Sequence, residues 1–237
     1  MDALTSAKFL QATVSRWAAA QGYYYKAVNA TPSTGIISST QQTFSATSGL
    51  FCMQNTAQVN SNVFLFPDYL KLLVSVVDTT ATAFQYLGAV DNTLRFSSGG
   101  TALTTVGTAA SNNGSMNTRR RIAGSLPQAA ITYGALVLAA EGSQVVRQSR
   151  GCVKANAAPF SQVNDEYYFA FGPSADAGAG SAKTSAAATP TVYRQNVGMV
   201  SIAPQGSFVF NAWFPAITVG FTAEVEVGWW EVPADPA

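Results

Sequence analysis

An all-β antiparallel sandwich with a short helix or arm at its N-terminus is the fold class this sequence predicts. Three observations predict it. β-Branched and aromatic runs of strand length recur from Thr31 onward, the last of them alternates with a period of two, and helical periodicity is confined to the N-terminal segment. A chain of 237 residues is within the size at which sandwiches and barrels form a single unit. Residues 1–28 are therefore predicted as a helix or arm, and 29–237 as one β domain.

In the first segment Leu10, Val14 and Trp17 fall at helical spacing, with Phe9 and Thr13 beside them and Ala18, Ala19 and Ala20 following. Such a stripe fits an amphipathic helix laid either on its own β body or on a neighbouring subunit. Gly22 ends it, and Tyr23, Tyr24 and Tyr25 open an aromatic segment.

Strands are predicted at 36–37, 44–53, 59–66 and 69–77, with Pro67-Asp68 as a turn between the last two. The pieces 84–87 and 93–96 flank Gly88 and Asp91-Asn92 and read as a compact hairpin. Later strands are predicted at 129–140, 143–154, 166–171, 191–202 and 207–214, with Gly142 marking a turn between the first two. In the final run Ile217, Val219, Phe221, Ala223, Val225, Val227 and Trp229 take the odd positions, and Thr218, Gly220, Thr222, Glu224, Glu226 and Gly228 the even ones. One face is then buried and the other meets solvent or a partner. The polar stretches 97–118 and 174–189 read as long loops. About ten strands with large loops fit an antiparallel sandwich, of which the jelly roll is the main large version.

Charged residues make up only 11% of the chain, less than half the usual share of about 25%. Ser, Thr, Asn, Gln, Ala and Gly take their place, which suits a subunit pressed against neighbours; an ordinary β domain with Ser/Thr-rich loops is the plainer alternative. The net charge of +1 offers no field for nucleic acid or an anionic membrane, so neither is expected as a partner. No secretory leader or apolar span is read from the residues, and assembly in a cytoplasm is expected. Cys52 and Cys152 are then expected as free thiols serving as small buried hydrophobes.

The chain contains no histidine, which removes Ser-His-Asp and Cys-His arrangements, imidazole bases and His-ligated zinc. No catalytic residue, metal or cofactor is expected, and the protein is not read as an enzyme. Glu224 and Glu226 lie two apart on one strand face, a spacing that a carboxylate pair across a sugar would allow, although a solvated face explains them better. Residues 178–184 imitate a phosphate loop but carry Ala182 where glycine is needed before Lys183. Arg119, Arg120 and Arg121 form the one dense charge cluster and are a candidate contact for a partner's acidic patch. Trp213 and Trp229 match the parity of their apolar faces. Trp230 has the opposite parity and is expected to face a partner or a covering loop.

In style the chain resembles the capsid decoration, or cement, proteins of tailed bacteriophages. The likeness runs from about Thr31 and rests on the Ser/Thr/Ala/Gly-rich strands, the piece from Phe84 to Phe96 with its Ser97-Ser98-Gly99-Gly100 exit, and the alternating final strand. The resemblance implies a jelly-roll domain, most often trimeric, that binds the outside of a formed icosahedral head through its major capsid protein. Leu10, Val14, Trp17, Arg119, Arg120, Arg121 and Trp230 are the expected partner contacts. A shell-forming jelly-roll coat protein and a tail-associated carbohydrate-binding module are the alternatives.

Overall fold

The computed structural model describes residues 19–31, 33–104, 113–115, 127–154, 159–171 and 192–233. The apolar stripe of Leu10, Val14 and Trp17, the cluster Arg119, Arg120 and Arg121, and the stretch 174–189 lie outside the described residues.

Thirteen strands are present among the described residues. They are β1 (Tyr24–Val28), β2 (Ile36–Ile37), β3 (Ser48–Asn55), β4 (Val63–Val76), β5 (Ala83–Asp91), β6 (Phe96–Ala102), β7 (Asn113–Ser115), β8 (Ala129–Leu138), β9 (Val146–Lys154), β10 (Glu166–Ala170), β11 (Val192–Asn196), β12 (Ser207–Trp213) and β13 (Thr222–Pro233). Sheet A runs β11-β10-β4-β13-β1-β7, with β2 also on β13; sheet B runs β6-β8-β3-β12-β5-β9. Every strand pairing is antiparallel except that of β10 with β11. The all-β sandwich read from the sequence is the observed class.

The pairings are nested. β1 meets β13, β3 meets β12, β4 meets β10, and β5 meets β9. The chain is thus a long antiparallel ribbon wound back on itself, whose successive strands alternate between the sheets except at the innermost pair. β6, β7 and β8 are inserted between β5 and β9: β8 and β6 widen sheet B beyond β3, and β7 extends sheet A beyond β1.

The core lies between the sheets. From sheet A come Leu70, Leu72, Val74, Tyr167, Phe169, Val225, Val227 and Trp229; sheet B supplies Phe51, Met53, Phe84, Ile131, Tyr133, Phe208 and Phe210. Phe84 sits at the centre of an aromatic cluster, its ring 5.0–6.5 Å from those of Tyr86, Phe160, Tyr167, Phe169, Phe210, Phe214 and Phe221. A smaller cluster of Cys52, Leu136, Leu138 and Val209, with Phe96 against it, gives β3 buried side chains on both faces.

Several local readings are corrected. Pro67-Asp68 is not a turn: β4 runs through it, and the register against β13 shifts so that Trp229 faces Pro67 and Gly228 faces Tyr69. Proline has no N–H for the ladder, and the chain accommodates it as a bulge with Asp68 as the extra residue. The piece from Phe84 to Phe96 is not a hairpin, because β5 pairs with β12 and β9 while β6 pairs with β8. Part of the predicted loop 97–118 is strand, in β6 and β7. Val219 is 60% exposed although its parity predicts burial. Its N–H and that of Thr218 donate to the Asp78 carboxylate, at 3.0 and 3.2 Å, so the backbone there serves a turn and the ladder begins at Thr222.

Neither cysteine is in a disulfide; Cys52 is buried as expected, but Cys152 is exposed. Cys152 alternates with Val153, which points into the core, so its side chain takes the outer face of sheet B. Burial pushes the Cys52 thiol up to about 12, against the smaller opposing effect of Arg95. A thiol reagent is therefore expected to modify Cys152 in the native protein and to reach Cys52 only after unfolding. Equal reaction of the two in native buffer would contradict this burial.

Candidate functional site on the outer face of sheet A

The alternation of β13 turns Trp229 inward and Glu224, Glu226, Gly228 and Trp230 outward. Trp230 is half-buried and registers with Tyr24 on β1 and Phe66 on β4, its ring 4.4 Å from that of Tyr24. Of the predicted contact residues it is the only one among the described residues. The structure places it beside partners that no local pattern announced, since β1 and β13 lie at opposite ends of the chain.

Next along the strand, Gly228 registers with Lys26 and Tyr69. A Cβ at 228 would stand 2.4 Å from the Tyr24 hydroxyl and 2.6 Å from the Tyr69 ring. Both aromatic side chains therefore lie down over the glycine. The bulge in β4 brings Asp68 to the same face, where its Oδ2 accepts from the Tyr24 hydroxyl at 3.0 Å. Tyr69 stacks on Tyr168 with ring centres 5.2 Å apart and an interplanar angle of 16°, and Lys26 lies 5.3 Å from the Tyr69 ring centre.

Glu226 anchors the polar part. Its Oε1 accepts from the Tyr69 hydroxyl and from Lys26 Nζ at 3.0 Å, and Lys71 Nζ lies 3.3 Å from Oε2. Partial burial raises its pKa, but the Tyr69 hydroxyl and the two ammonium groups outweigh that and bring it down to about 2. A carboxyl held ionised through the neutral range cannot be a glycosidase's proton donor, and its three donors already occupy Glu226 as an anchor of this face. Tyr24 and Tyr69 are pushed well above the ordinary phenol range, first by burial and then by the nearby carboxylates. They remain neutral donors. Beyond Glu226, a shallow groove of about 250 Å³ is lined by Val28, Asn29, Leu73 and Glu224 together with Lys71 and Glu226.

No protein-family model and no curated protein matches the chain.

Three further carboxylates hold connections; of these only Asp91 was named in the sequence reading, and there as a turn residue. Asp78 accepts from the N–H groups of Thr80, Ala81, Thr218 and Val219, tying the β4–β5 turn to the β12–β13 turn. Asp91 accepts from Thr93, Gly142 and Arg95. Glu231, 5% exposed, accepts from the N–H groups of Gln128 and Ala129 and from Trp229 Nε1. Burial pushes the Glu231 pKa up against these donors. A parity signal for it does exist, because Glu231 continues the inward odd positions Val225, Val227 and Trp229. Among the described residues, no group of three or more His, Cys, Asp or Glu side chains could hold a metal ion.

Proposed function

We propose that this protein is a virion structural subunit: a jelly-roll decoration protein that binds an icosahedral phage head and reinforces it. The observation that carries the proposal is the nested pairing of β1 with β13, β3 with β12, β4 with β10 and β5 with β9. Eight strands nested in this way over two sheets support the jelly-roll reading, a plan that recurs in capsid proteins. Two properties of the surface support a life spent in contact. Charged residues are only 11% of the chain. Ile37 and Val76, which both register with Thr222, are 53% and 56% exposed. These apolar side chains at one end of the sheet are open to contact with a neighbouring subunit.

In this reading modest contacts repeated by symmetry raise the cost of rupturing the shell, since anything bound only to the intact head shifts the equilibrium toward it. Residues 24–28, assigned to the arm from the sequence, are strand β1 of sheet A; the segment ahead of β1, with Leu10, Val14 and Trp17, and the Arg119, Arg120 and Arg121 cluster are the proposed contacts with the major capsid protein and with other copies. Purified protein at micromolar concentration is expected to sediment as a homotrimer. Gold-labelled antibody against it is expected to decorate the heads of phage from a lysate of the strain that carries the gene. A monomer that leaves every head unlabelled would overturn the proposal, and closed shells formed by the protein alone would assign it the coat role instead.

A further inference from the structure

We propose that the outer face of sheet A between β1, β13 and β4 is a binding site for a neutral glycan, with Trp230 and Tyr24 as the stacking rings. The face is built in rows across the three strands. Tyr24, Trp230 and Phe66 form one row, Lys26, Gly228 and Tyr69 the next, and Val28, Glu226 and Lys71 the third. Gly228 leaves the middle row low, so that Tyr24 and Tyr69 lie across it instead of standing up from the sheet. The rings are fixed before any ligand arrives: Tyr24 is held by Asp68, and Tyr69 by Glu226 and by its stack on Tyr168. Such preorganisation lowers the cost of binding.

The chemistry of the face selects among occupants. A flat protein partner fits poorly, because the centres of protein interfaces are depleted of charge, and here Lys26, Lys71, Asp68 and Glu226 would be stripped of water together. A polyanion fits poorly too. Among the described residues, Lys26, Lys71 and Arg194 are matched by Asp68, Glu166, Glu224 and Glu226 on the same face, so these leave no positive excess to neutralise phosphate. A neutral sugar meets both demands. Its C–H face packs on an aromatic ring, while its hydroxyls accept from ammonium groups and donate to carboxylates, so no charge is left unpaired. Lys26 is placed for this: its ammonium spends one hydrogen bond on Glu226, and the side chain is 37% exposed. The adjoining groove of about 250 Å³ is just below the range of drug-sized pockets and extends the site along β13 from Trp230 to Glu224. At about 3.4 Å per residue that run is roughly 20 Å long, enough for several sugar units.

The test is an array of neutral and acidic bacterial oligosaccharides probed with the full chain, followed by titration of the best binder monitored by tryptophan fluorescence. At least one neutral glycan is expected to bind. Trp230→Ala is expected to weaken it about tenfold or more, as removal of one aromatic hot spot does, with an unchanged circular dichroism spectrum. Tyr24→Leu is the second variant, expected to act in the same direction should Trp230→Ala fold poorly. Phe44→Ala, an exposed ring outside this face, is expected to bind as the parent does. Failure to bind any neutral glycan, a preference confined to acidic ones, or full affinity in folded Trp230→Ala and Tyr24→Leu would each overturn the assignment.

Discussion

Arg95→Met is expected to destabilise the protein by about 3–5 kcal/mol, the usual cost of removing one partner from a buried ion pair. Arg95 is 1% exposed and Asp91 2%. The guanidinium donates to Asp91 Oδ2 at 3.0 Å, to the Ala139 carbonyl at 2.9 Å and to the Ala46 carbonyl at 2.7 Å. It thereby joins the turn after β5, the exit of β8 and the entry of β3. Gln54 completes the arrangement, its amide oxygen accepting from the N–H of Arg95 at 2.8 Å and of Phe96 at 2.9 Å. Without the arginine, Asp91 keeps its buried charge and two carbonyls lose their donor. Adding Asp91→Asn to Arg95→Met is expected to cost much less than the two single effects combined, since the stranded charge is gone. Urea unfolding of the two singles and the double measures this, and a loss below about 1 kcal/mol for Arg95→Met would show that the pair does not lock the junction.

The same carboxylate sets a pH dependence. Burial raises the Asp91 pKa, but the Gly142 N–H, the Thr93 hydroxyl and Arg95 outweigh it and hold the group below the ordinary carboxylate range. Its folded pKa is therefore lower than its unfolded one. The resulting stability is complete above the unfolded value of about 3.9 and disappears as pH falls through that value toward the folded one. Asp78, pulled down by backbone and hydroxyl donors that outweigh burial, acts in the same direction. The parent is expected to lose stability in that acid window, and Arg95→Met to lose less there.

Phe84→Ala is expected to cost a comparable 3–5 kcal/mol, roughly, for a different reason. The ring is fully buried and in contact with seven other aromatic rings drawn from both sheets and their connections. Those neighbours cannot all close on the space, because each is itself held by strand pairing. For a chain of this size each kcal/mol moves the melting temperature by about 2–4 °C, so calorimetry should show a fall of about 6–20 °C. Phe44→Ala, at a position 38% exposed, provides the contrast and should shift it little. A fall of only a degree or two for Phe84→Ala would mean that the core is less tightly packed around that ring than described.

What could be read from the sequence was local and periodic. β13 was visible because Ala223, Val225, Val227 and Trp229 alternate with Glu224, Glu226 and Gly228, and the same parity set Trp230 apart. β8, β9, β10 and β12 were visible as apolar or β-branched runs. Partnership was not. The hairpin expected between Phe84 and Phe96 failed because a sandwich strand takes its neighbours from remote parts of the chain: β5 has β9 on one side and β12 on the other. The candidate site was half legible for the same reason. The tyrosine run at 23–25 and Trp230 were both noticed, but nothing local says that Tyr24 and Trp230 stand side by side. The role of Asp68 was hidden too, since Pro67 signals a turn where the sheet in fact makes a bulge.

The nested pairing also governs when the chain can fold. Lys26 and Glu226, bonded across β1 and β13, are 200 residues apart in sequence. β13 lies inside sheet A, between β4 and β1, so until it leaves the ribosome those two strands have no neighbour to join them. Of the four nested pairs, β5 with β9 becomes available first, and their closure proceeds outward to β1. Folding rates fall as contacting residues lie further apart in sequence, which places this protein among the slow folders, on a scale of milliseconds to seconds or longer. Until β10 and β13 emerge, β4 has neither of its sheet neighbours, a state in which unpaired strand edges are open to wrong association.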